Sequence, residues 1–371
     1  MHGAAAICRR LTAFSATVAL GLAVSAAMPG PAVPAGFGLD NAQPAGPGLQ
    51  QAQLRREDLR GRNFRGEDLS RANLSGAELS GADLSRADLR RANLTGADLS
   101  QAILTDADMS SANLTRARLI AARLERARLV DANMSFAELS GADLSFADLR
   151  DAWLRGADLG EAVLREANLQ RAQLFQARLD AAELEKADLK RASLIQAVMA
   201  NANLADANLR EADLAGADLA GAELRRAILF QVDLTGADLR RADLNGANLT
   251  QANLRQATLN NADLGQAQLA GADFTGAELG RANLGHADLN GARLTNADLG
   301  AADLGTANLA GADLRAARLV RANLRLAALR GATLRGADLR SVRGLTQAQL
   351  DQACGDLDTR LPEGLTIEPC G

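Results

Sequence analysis

The sequence predicts an all-β solenoid, a chain coiled around a leucine-filled axis, and three observations carry that prediction. Every fifth residue from Leu54 to Leu339 is apolar: 58 positions, all leucine except Phe64, Met109, Met134, Met199 and Phe274. Two residues before each stands alanine, except at Glu57, Arg62, Glu67 and Val232, and no insertion breaks the phase. Aromatic residues make up only 2% of a chain that is 47% hydrophobic, so the core has to be built from leucine and alanine. A length of 371 residues would otherwise suggest two ordinary domains, but a fixed repeat overrides length as a guide to architecture.

The period excludes the simple alternatives. On a helix, five residues at about 100° each would leave successive leucines about 140° apart, and no apolar face would form. On a plain strand, a period of two would send alternate leucines to opposite faces. A composite works: Ala-x-Leu is three extended residues with both apolar side chains on one face, and the next two residues turn a corner. Asp, Asn, Ser and Gly fill the remaining positions because they tolerate tight turns and bond local backbone. Glu57, Arg62 and Glu67 interrupt the alanine rule only in the first units, where an end coil is partly solvated.

With this A-(D/N)-L-x-x pattern, residues 52–340 resemble the pentapeptide-repeat proteins. The resemblance implies a right-handed quadrilateral parallel β-helix with four pentapeptides per coil. It therefore implies about 14 coils, a rod on the order of 70 Å long at one strand spacing per coil. Leucine is then the central inward residue, the preceding alanine the smaller inward one, and the other three point outward.

The segments outside the repeat read differently. Arg9 and Arg10 precede an uncharged run from Leu11 to Met28, and small residues suit cleavage after Ala26 or Ala27, so residues 1–27 are expected to be a signal peptide. An uncleaved anchor is the alternative, although the run is barely long enough to span. Cys8 precedes the apolar run and is not placed for lipid attachment. Residues 28–51 form a Pro/Gly/Ala linker expected to be disordered. Residues 341–371 form a C-terminal cap. There Thr346 is a good N-cap with Gln349 three residues on, Leu345 and Leu350 suit a hydrophobic staple, and Gly355 suits a helix stop. The spacing predicts a short capping helix over Gln347 to Cys354. Export and an even cysteine count imply a Cys354–Cys370 disulfide; two free thiols or a metal pair are the alternatives, with no histidine nearby.

Catalytic chemistry finds little support. Beyond the export segment the chain has one histidine, His286, at an outward corner, and it has no tyrosine and no glycine-rich phosphate loop. The aspartates fall one per pentad over all faces and read as turn formers rather than Ca²⁺ ligands. No enzyme activity, cofactor or metal is therefore expected. A formal net charge of −4, made slightly more acidic by cleavage, argues against a nucleic-acid partner.

Two departures from the repeat are candidate sites. Arg116, Arg118, Arg123, Arg126 and Arg128 form a basic belt around one coil, read either as ordinary solvated charge or as a surface for an acidic partner. Phe136, Trp153, Phe175 and Ile195 fall on four successive rungs of one face and form a candidate apolar interaction strip. The function expected is a non-catalytic, exported repeat scaffold, periplasmic or extracellular in a bacterium. It mediates protein–protein interaction, self-association included, and meets no membrane beyond the export segment. The resemblance adds an alternative, because some pentapeptide-repeat proteins mimic duplex DNA and bind gyrase to protect it from quinolones. Those are strongly acidic cytoplasmic rods, unlike this chain. A metal-dependent or enzymatic module is the third reading.

Overall fold

The computed structural model describes residues 49–371 and shows one continuous coil. The expected signal peptide and most of the expected linker lie outside the described residues; Leu49–Gln51 belong to the rod, where the Gln51 N–H donates to Ser70 O. Isolated parallel bridges join residues twenty apart, from Gln53↔Asn73 to Asn323↔Arg343, so four pentads complete each coil. We call the residue between Ala and Leu the bridge residue, the one after Leu the shoulder, and the next the corner.

A single pentad accounts for its own backbone. The Leu234 N–H donates to Asn253 O on the next coil at 2.7 Å, the Gly236 N–H donates to Arg255 O, and the Asp233 N–H donates back to Ala212 O. The Ala237 N–H closes the turn onto Leu234 O at 3.0 Å. Four of the five N–H groups thus pair with backbone without long strands, and only the shoulder N–H is left for a side chain. Every corner residue from Gln51 to Ser341 takes a left-handed φ between +52° and +70°, including Ala121, Phe136 and Leu326. Glycine would adopt this geometry freely. In the other residues up to Ala316 the conformation is held by the bond to the next coil, as when the Phe136 N–H donates to Arg155 O; Arg321, Leu326 and Ser341, beside the cap, take it without such a backbone bond.

Inside the rod, leucine and alanine are almost wholly buried from Leu69 to Leu339. Outside, the bridge residue owes its Asp/Asn preference to accepting the shoulder N–H. The Ser85 N–H donates to Asp83 Oδ1 at 2.9 Å and the Thr235 N–H to Asp233 Oδ1 at 2.9 Å. Where an arginine occupies the shoulder after an aspartate, its guanidinium closes on the same carboxylate, as in Arg240 Nη2–Asp238 Oδ2. That hydrogen bond holds the Asp238 carboxyl below the usual carboxylate range.

At the first coil no described residue lies beneath the N–H groups of Gln53, Asp58, Asn63 and Asp68. Glu57 and Arg62 are exposed there. At the far end, helix α1 (Gln347–Leu350) lies over the last coil with Leu350 fully buried. It is shorter than the expected Gln347–Cys354 because the following residues pair with the rod instead. The Gly331 N–H donates to Gln352 O, and Cys354 exchanges bonds with Ala332 O and the Leu334 N–H. Gln349 accepts the Thr346 N–H at 2.8 Å and donates to the carbonyls of Leu324 and Ala327 at 2.8 and 2.9 Å. Gly355 is not the helix stop. It pairs through both its N–H and C=O with the 368–370 segment, and a Cβ there would lie 2.7 Å from Thr359 Oγ1. The Cys354–Cys370 disulfide is present, with Cα atoms 4.8 Å apart, and ties this returning segment down.

Candidate functional site

The face built on the inward residues Met134, Leu154, Leu174 and Leu194 carries all four residues of the expected strip, but in three different columns. Trp153 is a bridge residue between Asn133 and Gln173. Phe175 and Ile195 are shoulder residues, half-buried. Phe136 is a corner residue whose ring lies over Gly156, where a Cβ would meet the ring at 2.8 Å. Gly156 is thus a position where close approach requires glycine. Trp153 and Phe136 are 56% and 50% exposed. Arg155, between Trp153 and Gly156, reaches over the Phe175 ring at 5.4 Å to the centroid, a cation–π contact. The site is therefore a broad patch with one cation lying across it rather than a single file of apolar groups. Sequence spacing identified the face; the column assignments follow from which residues form bridges and which take the left-handed turn.

The basic belt is largely neutralised along the rod. Arg118 lies 3.4 Å from both Asp98 on the coil below and Glu138 on the coil above. Arg126 pairs with Asp106 at 2.7 Å and Arg123 with Glu125 at 3.0 Å. Arg116 and Arg128 make no salt bridge among the described residues. A polyanion would have to displace three of the five cations from carboxylates already in place, which favours ordinary solvated charge.

Two surface features had no counterpart in the sequence reading. Phe146 is exposed at the corner two pentads on from Phe136, away from the patch. A groove of about 360 Å³ runs beside His286, floored by Gly265, Gly285 and Gly305. The signal for it was glycine at the shoulder of three successive rungs. Its polar groups are mutually engaged, with His286 Nδ1 2.7 Å from Thr306 Oγ1 and Asn323 donating to Asp303 at 2.7 Å. Among the described residues no cluster of His, Cys, Asp and Glu could hold a metal ion, and no helix is long and apolar enough to cross a membrane.

Comparison with known proteins places this architecture in a family. The family model described as pentapeptide repeats matches stretches that together cover residues 52–305 and 307–343. HetL from the cyanobacterium Nostoc, described as involved in heterocyst differentiation regulation, is 37% identical. The match covers 61% of this chain and 88% of HetL, with a TM-score of 0.22. A pentapeptide repeat protein of the Arabidopsis thaliana thylakoid lumen is 32% identical over 31% of this chain and 72% of its own, with a TM-score of 0.20. QnrB1, a plasmid-mediated fluoroquinolone resistance protein, is 18% identical over 48% of this chain and 89% of its own, with a TM-score of 0.36. No curated protein matches by sequence. The repeat pattern, the twenty-residue bridging and the family model together establish that the chain belongs to the pentapeptide-repeat family, whose fold is a right-handed quadrilateral β-helix.

Proposed function

We propose that this protein is a non-catalytic, exported scaffold whose Met134–Leu194 face binds a protein, presented on a rod of about 14 coils closed by the C-terminal cap. The observation that carries the reading is the exposure of Trp153 and Phe136 together on one face, whereas the other large apolar groups exposed on the rod, Phe146 and Leu326, stand singly. Exposed aromatic patches of this kind mark interaction sites, and tryptophan is favoured at binding hot spots. The flat, hydrogen-bonded wall beneath holds the patch rigid, which lowers the ordering cost of association. Export is supported by the N-terminal pattern and by the Cys354–Cys370 disulfide, a bond suited to an oxidising compartment. A duplex-DNA mimic would need unbalanced rows of acid. Here Asp88, Asp148, Asp238, Asp313 and Asp338 each sit against an arginine.

Trp153 is the chain's only tryptophan, so its emission reports directly on the face. In dilute protein the emission should be that of a wet indole, and it should shift to the blue when the site is occupied by cell-envelope protein. Trp153→Ala should abolish that binding while leaving the thermal transition nearly unchanged. Emission of a buried indole in dilute monomer would refute the reading. A gyrase supercoiling assay should show no effect of the protein.

A further inference from the structure

The corner that leads into the Trp153 face carries an ordered run of charge. Asp131, Asp151, Arg171 and Arg191 stack there on four successive coils, two acids followed by two bases. Asp131, Arg171 and Arg191 are exposed and Asp151 half-buried. Within the chain, Arg171 pairs with Asp151 at 2.6 Å and Arg191 with Glu211 at 2.7 Å. Asp131 and Arg191 cannot meet within one chain, because three coil spacings of about 4.8 Å separate them.

This order is antisymmetric about a point midway between the Leu154 and Leu174 rungs. A two-fold axis across the face at that level, perpendicular to the rod, turns a second copy antiparallel and keeps each column facing itself. Asp131, which makes no salt bridge among the described residues, then faces Arg191 of the second copy, and the Asp151–Arg171 pair faces the same pair of the second copy in reverse order, each contact occurring twice and adding to the pairs within each chain rather than displacing them. The rest of the face fits the same operator. Trp153 meets Gln173, and Arg155 meets Phe175, so the cation–π contact seen within the chain is also offered between chains. Phe136 meets Gln196 and Ser135 meets Ile195. No like charges oppose one another across these rungs. An axis along the rod would instead place the two acidic runs on opposite edges and leave the complementarity unused. An isologous interface requires this kind of self-complementary surface.

We infer that the Trp153 face joins two copies of this chain as an antiparallel side-by-side dimer, with the 131–191 corner setting its register. The inference rests on the reading of that face as a protein-binding surface and names its occupant. A patch of four rungs is small, so the dimer is of the weak, reversible kind that a concentration series can dissociate.

The test is sedimentation velocity of the purified protein over a wide concentration range, with Trp153 emission followed in parallel. The wild type should pass from monomer to dimer with a blue shift. Asp131→Arg and Arg191→Asp should each weaken self-association about tenfold or more, because each sets like charges against each other twice. An equimolar mixture of the two variants should recover dimerisation. The arginine introduced in one then meets the aspartate introduced in the other, while the unaltered Arg191 and Asp131 still meet across the axis. The double variant should recover it too. Both side chains are exposed, so the thermal transition is the control for folding. A mixture no better than either variant alone overturns the inference. So does a wild type that stays monomeric at every concentration. If that monomer's wet indole still shifts blue with envelope protein, the binding-face reading survives and the dimer does not; a buried indole in the monomer removes both.

Discussion

At the first coil, Glu57, Arg62 and Glu67 occupy inward positions that hold alanine nearly everywhere else, and Glu57 and Arg62 lie exposed. At the last coil the inward positions remain Ala327, Ala332 and Ala337, all buried, and the chain folds back over them through α1 and the disulfide loop. Both ends face the same hazard, an open sheet edge that could recruit another chain. One described end meets it with charge, the other with cover. The difference teaches that stability in this rod depends on the neighbours a coil has, since the interior pentads are nearly identical and only the end without cover departs from them.

The largest expected effect breaks the middle of the rod, where a coil has neighbours on both sides. Leu234→Asp places an unpaired carboxylate in the core and should cost several kcal/mol. Hydrogen exchange should show lost protection across residues 210–260. The same change at half-buried Leu59, beside the charged end, should cost clearly less than at Leu234, because water already reaches the site. Equal losses at the two positions would contradict the contrast between a buried interior and a solvated first coil.

A smaller effect sharpens the comparison at the covered end. Cys354→Ser should weaken the cap by about 2–4 kcal/mol. Faster exchange should be confined to residues 324–371, because the bonds released are those that join Cys354 and Gly355 to the last coil and the 368–370 segment. The far-ultraviolet dichroism of the rod should persist. Exchange spreading to the first coils would show that the cap supports the whole solenoid.

The smallest effect is acidic. Asp356 accepts the Gly336 N–H at 2.8 Å, along with the Asp358 N–H and the Thr359 hydroxyl, and these bonds hold its carboxyl below the usual value of 3.8. A depressed carboxylate contributes stability that is present above its unfolded value and is lost as pH falls through its folded one. The cap should therefore loosen below about pH 4, read as faster exchange at Gly336 and Thr359. Asp58, at the open end, is lowered to about 2 by its hydrogen bonds from Arg60, yet it is exposed and its partner lies in its own pentad, so it secures no neighbouring coil. Acidification over the same range should leave exchange near it unchanged.

Much of this was legible in the chain. The five-residue phase allowed only a coil with leucine inside, and burial from Leu69 to Leu339 follows it position by position. The Asp/Asn preference was legible for the same local reason, a side-chain acceptor two residues before a turning N–H. The interaction face was half legible. Twenty-residue spacing placed Phe136, Trp153, Phe175 and Ile195 on one side, but outward positions of a pentad are not equivalent. Only the bridges show that Trp153 stands in the sheet while Phe136 lies across Gly156 at the corner. The groove beside His286 left only a faint mark, glycine at three shoulders twenty residues apart, which a search for apolar residues passes over.

The sequence by itself determined the inward and outward sides of every pentad, because burying leucine at a fixed period leaves the backbone one way to turn. Tertiary structure alone decided the conformations that local preference opposes. Ala121, Phe136 and Leu326 take a left-handed φ that costs about 1–2 kcal/mol in an L-residue; for Ala121 and Phe136 a hydrogen bond to the next coil holds it there. It likewise decided where α1 stops. The helix ends at Leu350 because Gln352 and Cys354 are drawn into pairing with the last coil, where the Gly331 and Leu334 N–H groups would otherwise face no partner.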